Sequence, residues 1–235
     1  MSKDPQAVRR WPFPERCVHR GSHVTLEPLG QDHLHELWEA AADAEASWSF
    51  LRYGPPATIE ALSALLTDLS SRDDQPFWAV RPVSSGRVEG WLSLCDVYPV
   101  DAAIEIGSIW FSPRLQRSRA ATETIYLLIR HAMDDLGYRR MVWRCAASNA
   151  ASLRAAGRYG FRQEGVWRRA AIVKGAPRDV AWHSILDDEW PLHREAIEAW
   201  LSDDNFLPDG RPRASLDDIR ASRQSIASTE TAPAN

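Results

Sequence analysis

The chain has 235 residues, of which 44% are hydrophobic and 26% are charged, a composition typical of a globular protein with a packed core. Its formal net charge of −4 argues against a nucleic-acid partner. No stretch approaches the roughly 20 apolar residues of a membrane-spanning helix, and the polar N-terminus does not resemble a signal peptide. We therefore expect a cytoplasmic protein that does not contact a membrane.

The first part of the chain predicts an arm, a strand and two helices. Residues 1–22 contain two prolines within Trp11-Pro12-Phe13-Pro14, which exclude a helix interior and favour an N-terminal arm lying against the domain. Residues 23–29 alternate like a strand. A first helix is predicted from Asp32 to about residue 43, and a second follows Thr58.

The hydrophobic period then changes to that of strands. Residues 77–83, 88–98 and 102–111 predict three strands, and their short connections favour an antiparallel meander. The remaining predicted elements are, in order, a helix over 121–136, a strand over 140–146, a helix from Asn149 to Gly160, strands over 161–171 and 179–186, and a helix over 191–201.

This order of elements predicts one mixed α/β (α+β) domain over residues 23–202. Its centre would be a twisted mixed sheet of about seven strands flanked by helices. Residues 203–235 are rich in Asp, Pro and Ser, and we expect them to form a polar, largely disordered tail.

The counts and spacings of three residue types bear on possible sites. Eleven tryptophans are present, which we interpret as packing residues, with an aromatic-lined cleft as the alternative. The three cysteines, Cys17, Cys95 and Cys145, are widely spaced, and the seven histidines show no metal-ligand spacing. The sequence therefore predicts reduced thiols and no metal site.

The loop at 112–119 joins a predicted strand directly to the start of a long helix. Free N–H groups and the positive end of the helix dipole make such a position an anion site. The region 114–169 contains twelve arginines against four acidic residues, a local charge of about +8. An anionic ligand is one interpretation of this charge, and solvated helix faces are the other.

Four short motifs in this region resemble one family. Gln116-Arg117-Ser118-Arg119-Ala120-Ala121 is similar to the pyrophosphate loop of the GNAT superfamily of acyl-CoA N-acyltransferases, which joins the fourth strand to the third helix. Glu105-Ile106-Gly107 lies on the preceding strand, and Gly160-Phe161 ends the following helix, as in many members. Asn149-Ala150-Ala151-Ser152 resembles the branch that acetylates ribosomal-protein N-termini.

The resemblance implies a fold, a reaction and a co-substrate. The sheet would be splayed between its fourth and fifth strands. The chain would move an acetyl group from acetyl-CoA to a primary amine of a small molecule, an amino acid or a protein N-terminus, by direct attack in a ternary complex. A non-catalytic acyl-CoA-binding or sensing module is the alternative, and a homodimer stays open.

The resemblance also implies a donor site. Backbone groups of Ile109, Trp110 and Phe111 would bind the pantetheine arm, although ordinary strand pairing is an alternative. Arg119 stands where the family has glycine, so it would either supply charge to a phosphate or rearrange the loop. The diphosphate would be held by Arg114, Gln116, Arg117, Ser118, Arg119, Ala120 and Ala121, with surface solubility as their alternative role.

The resemblance implies two catalytic residues, Glu105 and Ser152, and one further residue that binds the donor, Asn149. Glu105 would be the general base, with a salt bridge to an arginine as the alternative. Ser152 would donate a proton to the departing thiolate, or simply satisfy the first turn of its helix. Asn149 would bind pantetheine, cap the helix, or do both. The tyrosine that many relatives use as the acid is replaced by Ala156.

Overall fold

The sheet of this computed structural model has eight strands, and the structure describes residues 10–230, with side chains to residue 225. Residues 1–9 of the predicted arm and 231–235 of the predicted tail lie outside the described residues. The strands are β1 (His19–Arg20), β2 (Val24–Pro28), β3 (Phe77–Pro82), β4 (Gly90–Tyr98), β5 (Ala103–Phe111), β6 (Arg140–Ala146), β7 (Arg162–Val173) and β8 (Ala176–Leu186), in the spatial order β1-β2-β3-β4-β5-β6-β8-β7.

Helices cover both faces of this sheet. The alternation of side chains in β3 sends Phe77 and Ala79 to one face and Trp78 and Val80 to the other, and each set belongs to a separate buried cluster. The first cluster is closed by α1 (Leu34–Ala41) and α2 (Ile59–Ser71); the second is closed by α3 (Arg119–Arg130), α4 (Ala150–Tyr159), α5 (Trp190–Leu201) and α6 (Leu216–Glu230).

One pair of neighbouring strands is parallel, and it separates after three residue pairs. β5 and β6 pair from Ala103 with Arg140 to Glu105 with Val142, and no further residues of these strands pair with each other. All other neighbouring strands are antiparallel. Residues 106–111 of β5 therefore have no strand partner on the β6 side, which matches the predicted splay between the fourth and fifth strands.

The predicted mixed α/β domain is confirmed, with eight strands where about seven were expected. The extra strand arises because residues 19–20, assigned to the arm, pair with β2. β7 and β8 are also longer than predicted, since they continue to a tight turn at Lys174 and Gly175, where φ is 50° and 77°. Much of β7 is exposed at the sheet edge, so its hydrophobic pattern is weak.

The predicted helix over 121–136 consists of two parts. Its first part is α3, and its second is a π-helical turn, His131–Asp135. Residues 10–18 of the arm lie along this end of the domain: the Trp11 indole donates to the Gly137 carbonyl at 2.6 Å, and the Tyr138 hydroxyl donates to the Pro12 carbonyl at 3.1 Å.

The structure differs from the expected disorder over residues 203–230. A short 3-10 helix (Asp203–Asn205) and α6 follow α5. The Asn205 side chain donates to the Trp200 carbonyl at 3.1 Å and accepts from the Ala214 amide at 3.0 Å. Leu216 is fully buried in the core. Two anchors thus order a segment whose average composition is polar. Within residues 10–230, no helix is both long and apolar enough to cross a membrane.

Candidate active site

The start of α3 presents free amide donors. The Ser118 hydroxyl caps the helix, because its oxygen accepts the Ala121 amide at 3.0 Å. Arg117, one residue earlier, has a φ of 62°, a left-handed conformation that non-glycine residues seldom adopt. Within residues 10–230, the amides of Arg119 and Ala120 have no hydrogen-bond partner. Two N–H groups and the helix dipole are therefore available to an anion.

A buried carboxylate fixes the preceding loop. Glu89 is 4% exposed. It accepts from the Ser112 hydroxyl at 2.6 Å and from the Arg114 side chain at 3.1 Å. The side-chain amide of Gln116 donates to the backbone carbonyl of Phe111, at the end of β5, at 2.9 Å. These contacts join the loop to residue 89, just before β4, and to the end of β5.

The side chain of Arg119 is bound by the C-terminal segment. It pairs with Asp203 at 2.8 Å, donates to the Leu201 carbonyl, and lies 4.0 Å above the centre of the Phe206 ring. The arginine that replaces the family glycine is thus directed towards the end of α5, while its backbone amide stays free.

Two clefts flank the start of α3 and share Ser118 and Arg119. One, of about 460 Å³, lies between the loop and the β3–β4 turn and includes Glu89 and Arg114 in its wall. The other, of about 780 Å³, lies between the loop and the C-terminal segment at 203–213. Together, the two clefts leave room for an extended ligand on both sides of the free amides of Arg119 and Ala120.

Glu105 lies where β5 and β6 separate. It is 6% exposed, and its carboxylate pairs with the Arg144 side chain. Burial raises the pKa of Glu105 to about 8, while the Arg144 amide and the charge of Arg52 oppose the rise. A carboxyl group with this pKa can exchange protons close to neutral pH, as a general base must.

A glycine leaves room for this carboxylate. A β-carbon at Gly107 would lie 3.1 Å from the Glu105 Oε1 atom and 2.9 Å from the Cys95 sulfur, which is tighter than ordinary van der Waals contact. The Arg144 guanidinium also pairs with Asp96 and lies 4.8 Å from the centre of the Trp182 ring. Glu105 therefore has both an ion-pair partner and a raised pKa, so the structure contains features of both interpretations of this residue.

Ser152 and Asn149 lie at the start of α4. The Asn149 Oδ1 atom accepts the Ser152 amide at 3.1 Å, which makes Asn149 the N-cap of α4. The amide N–H groups of its side chain have no partner within the described part of the chain. The Trp143 indole donates to the Ser152 hydroxyl oxygen at 2.9 Å, so the hydroxyl hydrogen can point elsewhere.

The two catalytic candidates face the same part of β6. The Cys145 thiol contacts Ser152, and its pKa is raised by burial and also by the charge of Glu105. Both groups thus influence one side chain of β6. The position of the family tyrosine, Ala156, is fully buried and offers no polar group.

The side chains of the predicted pantetheine-binding strand lie in the core. The Trp110 ring packs against Trp48 and Trp91, with ring centres 4.6 and 4.7 Å apart. Ile109 and Phe111 are partly buried against the cluster on the opposite face. These three residues can therefore contribute to a ligand site mainly through their backbone.

A hairpin and a loop meet beside Glu105. At the tip of the β7–β8 hairpin, the Lys174 ammonium donates to the Trp48 carbonyl at 3.0 Å. The Arg178 guanidinium donates to the Phe50 carbonyl at 2.7 Å. The charge of Arg52, in the same loop, acts on Glu105. We refer to this contact as the hairpin clamp.

Some residues of the site were not predicted from the sequence. The Glu89–Arg114 pair joins residues 25 positions apart, and the sequence carries no local signal for it. Arg144 and Trp143 lie side by side in the predicted strand at 140–146, where a charged residue in an apolar strand was the available signal.

Comparison with known proteins gives a consistent result. Residues 23–162 match the family model of the acetyltransferase (GNAT) domain. A GCN5-related N-acetyltransferase from Brucella melitensis is 42% identical, over 92% of this chain and 99% of that chain, with a TM-score of 0.89. A probable acetyltransferase of the GNAT family from Chromobacterium violaceum is 36% identical, over 81% of this chain and 96% of its own, with a TM-score of 0.73.

A more distant protein shares the fold alone. The Microcin C7 self-immunity acetyltransferase MccE, solved in complex with acetyl-CoA and AMP, is 20% identical over 71% of this chain and 93% of that chain, with a TM-score of 0.62. Among curated proteins, none matches the chain.

Proposed function

Because the chain belongs to the GNAT family of acetyltransferases, which use acetyl-CoA, we propose that it transfers an acetyl group from acetyl-CoA to a primary amine. The acceptor would be a small molecule, an amino acid or a protein N-terminus. The amine would attack the thioester directly, with both substrates bound at once.

The observation that carries this proposal is the gap between β5 and β6 next to the start of α3. The strands separate after Glu105 and Val142, and the free amides of Arg119 and Ala120 follow at the end of β5. An extended thioester with a diphosphate needs an open strand edge for its amide-containing arm and an anion site near it. Both features occur here in one continuous segment.

The donor would lie along this segment. Its diphosphate would accept hydrogen bonds from the backbone amides of Arg119 and Ala120. It would also approach the side chain of Arg117, which lines the larger cleft. The pantetheine arm would pair with the backbone of residues 109–111 and with the free amide hydrogens of Asn149.

The proposed reaction needs two proton movements that balance. The amine nitrogen forms a bond to the thioester carbon and loses a proton to the Glu105 carboxylate, directly or through water. The carbon–sulfur bond breaks, and the leaving sulfur takes a proton through the Ser152 hydroxyl. Ser152 is half-buried and regains its proton from solvent, while Glu105 returns its proton to solvent.

One observation favours the alternative of an acyl-CoA-binding module without turnover. The carboxylate of Glu105 is already paired with Arg144. A base held permanently by an arginine would be poor at taking a proton, whereas donor binding would be unaffected. Donor binding and turnover therefore have to be measured separately.

The first test is calorimetric titration of the protein with acetyl-CoA, CoA and ATP. We expect binding of both CoA forms. The variant Arg117→Ala should bind acetyl-CoA several-fold more weakly, and the matched variant Arg139→Ala should bind like the original chain. Arg139 is exposed, directly precedes the first residue of β6, and lines neither of the two clefts at the start of α3.

Turnover is then measured as thiol release from acetyl-CoA across a panel of amines. Thiol release that depends on an amine supports the transferase. Tight donor binding with no release for any amine class would favour the binding module. No binding of either CoA form would refute the donor site.

A further inference from the structure

A second polar cluster lies where the N-terminal arm meets the far end of α3. It is formed by Cys17, His19 and His131, and one ligand-type atom from each lies within 4.8 Å of the others. The Cys17 sulfur is 3.6 Å from the His19 Nε2 atom. The two histidines are buried, and Cys17 is exposed.

The hydrogen bonding of His131 is incomplete in a way that suggests a ligand. Its Nδ1 atom lies 3.0 Å from the Asp135 carboxylate. Its Nε2 atom is buried and has no hydrogen-bond partner within residues 10–230. The carboxylate fixes the proton on Nδ1, so the lone pair is on Nε2, as in metal-bound histidines.

The neighbouring side chains have matching chemistry. His19 is also buried, and its ring lies beside that of His131, with the ring centres 4.6 Å apart. Thiolate sulfur and imidazole nitrogen are both ligand types that bind Zn²⁺. Tetrahedral zinc with usual bond lengths places sulfur and nitrogen about 3.5 Å apart, close to the observed Cys17–His19 distance.

We propose that Cys17, His19 and His131 form a Zn²⁺ site, with Asp135 orienting His131 and water as the fourth ligand. Binding would replace the thiol hydrogen of Cys17 by the metal and release one proton to solvent. The metal would join the arm to the end of α3. That end is about 18 Å from the start of the helix, at 1.5 Å per residue, so the site is separate from the proposed donor site.

This proposal departs from the absence of metal expected from the sequence. Cys17 and His19 are two residues apart, a spacing that places both side chains on one side of an extended chain. The third ligand comes from a residue more than a hundred positions later in the sequence, at the end of α3. The folded chain brings together ligands whose spacing shows no motif.

The experiment titrates the chelator-treated, fully reduced chain with Zn²⁺ by calorimetry and with Co²⁺ by absorption spectroscopy. We expect one Zn²⁺ per chain and a thiolate-to-cobalt charge-transfer band. Cys17→Ser should abolish both signals with little risk to folding, because Cys17 is exposed. Asp135→Asn should weaken binding by roughly 10–100-fold.

Two matched variants control for other cysteines and histidines. Cys145→Ser and His35→Gln should leave the stoichiometry and the band unchanged. Absence of binding at one equivalent, or a band that persists in Cys17→Ser, would overturn the proposal. These readouts do not involve acetyl transfer, so they are independent of the proposed function.

Discussion

Replacing Glu105 by glutamine keeps the size of the side chain and removes its ability to take a proton. Burial raises the pKa of Glu105 to about 8. The base form is the deprotonated one, so the active fraction increases as the pH rises through that value. About a tenth of the carboxyl groups would be ionised at pH 7 and about nine tenths at pH 9.

These fractions set the size of the expected effect. A general base contributes about 100-fold or more to the rate when it is fully ionised. The ratio of kcat/KM between the original chain and Glu105→Gln should therefore be near 100 at pH 9. It should be about tenfold smaller at pH 7. The ionisation of the acceptor amine affects both enzymes and cancels in the ratio.

The assay follows thiol release at subsaturating amine from pH 6.5 to 9.5. Glu39→Gln, an exposed substitution on α1, is the control, and its ratio should stay near one at every pH. Near-ultraviolet circular dichroism checks that each variant is folded. A ratio for Glu105→Gln that is large but constant between pH 7 and pH 9 would refute the titration argument. A ratio near one would remove Glu105 from the reaction.

Three further predictions concern the same region. Arg144→Gln removes the cation beside Glu105, so the midpoint of the kcat/KM pH profile should move upward by roughly one unit, and an unmoved midpoint would count against the ion pair. Ser152→Ala should lower kcat about 100-fold or more with an unchanged donor KM, whereas exposed Ser148→Ala should not, and equal kcat values would exclude a proton relay. Glu89→Gln should destabilise the fold by about 1–3 kcal/mol, measured by thermal or urea unfolding, and an unchanged stability would show that the loop does not need this carboxylate.

The order of elements was predictable because most of them bury one face. Helix α3 and strands β3 to β6 carry the hydrophobic periods that burial imposes. The lengths of β7 and β8 were not predictable, since exposed residues near the turn carry no such pattern. The order of the segment at 203–230 does not follow from its composition, because it depends on two anchors, Asn205 and Leu216, which an average over the segment hides.

The candidate site shows the same difference between local contacts, which a sequence can reveal, and contacts between distant segments, which it cannot. Ser118 and Asn149 cap their helices through residues three positions away, and such local contacts can be recognised in a sequence. The partner of Glu105 is Arg144, on the neighbouring strand. That contact depends on the register of β5 against β6, and the binary pattern of either strand alone does not specify it. The roles of these residues in catalysis stay predictions.

The hairpin clamp has a consequence for how this enzyme could diversify. Both of its hydrogen bonds are accepted by backbone carbonyl oxygens of the loop that follows α1, those of Trp48 and Phe50. Every residue type carries that oxygen, so these two hydrogen bonds do not require particular side chains at positions 48 and 50. Phe50 is exposed and can therefore be exchanged without loss of the hydrogen bond that its carbonyl accepts from Arg178. A change of side chain in this loop therefore leaves the backbone contact between the loop and the β7–β8 hairpin in place.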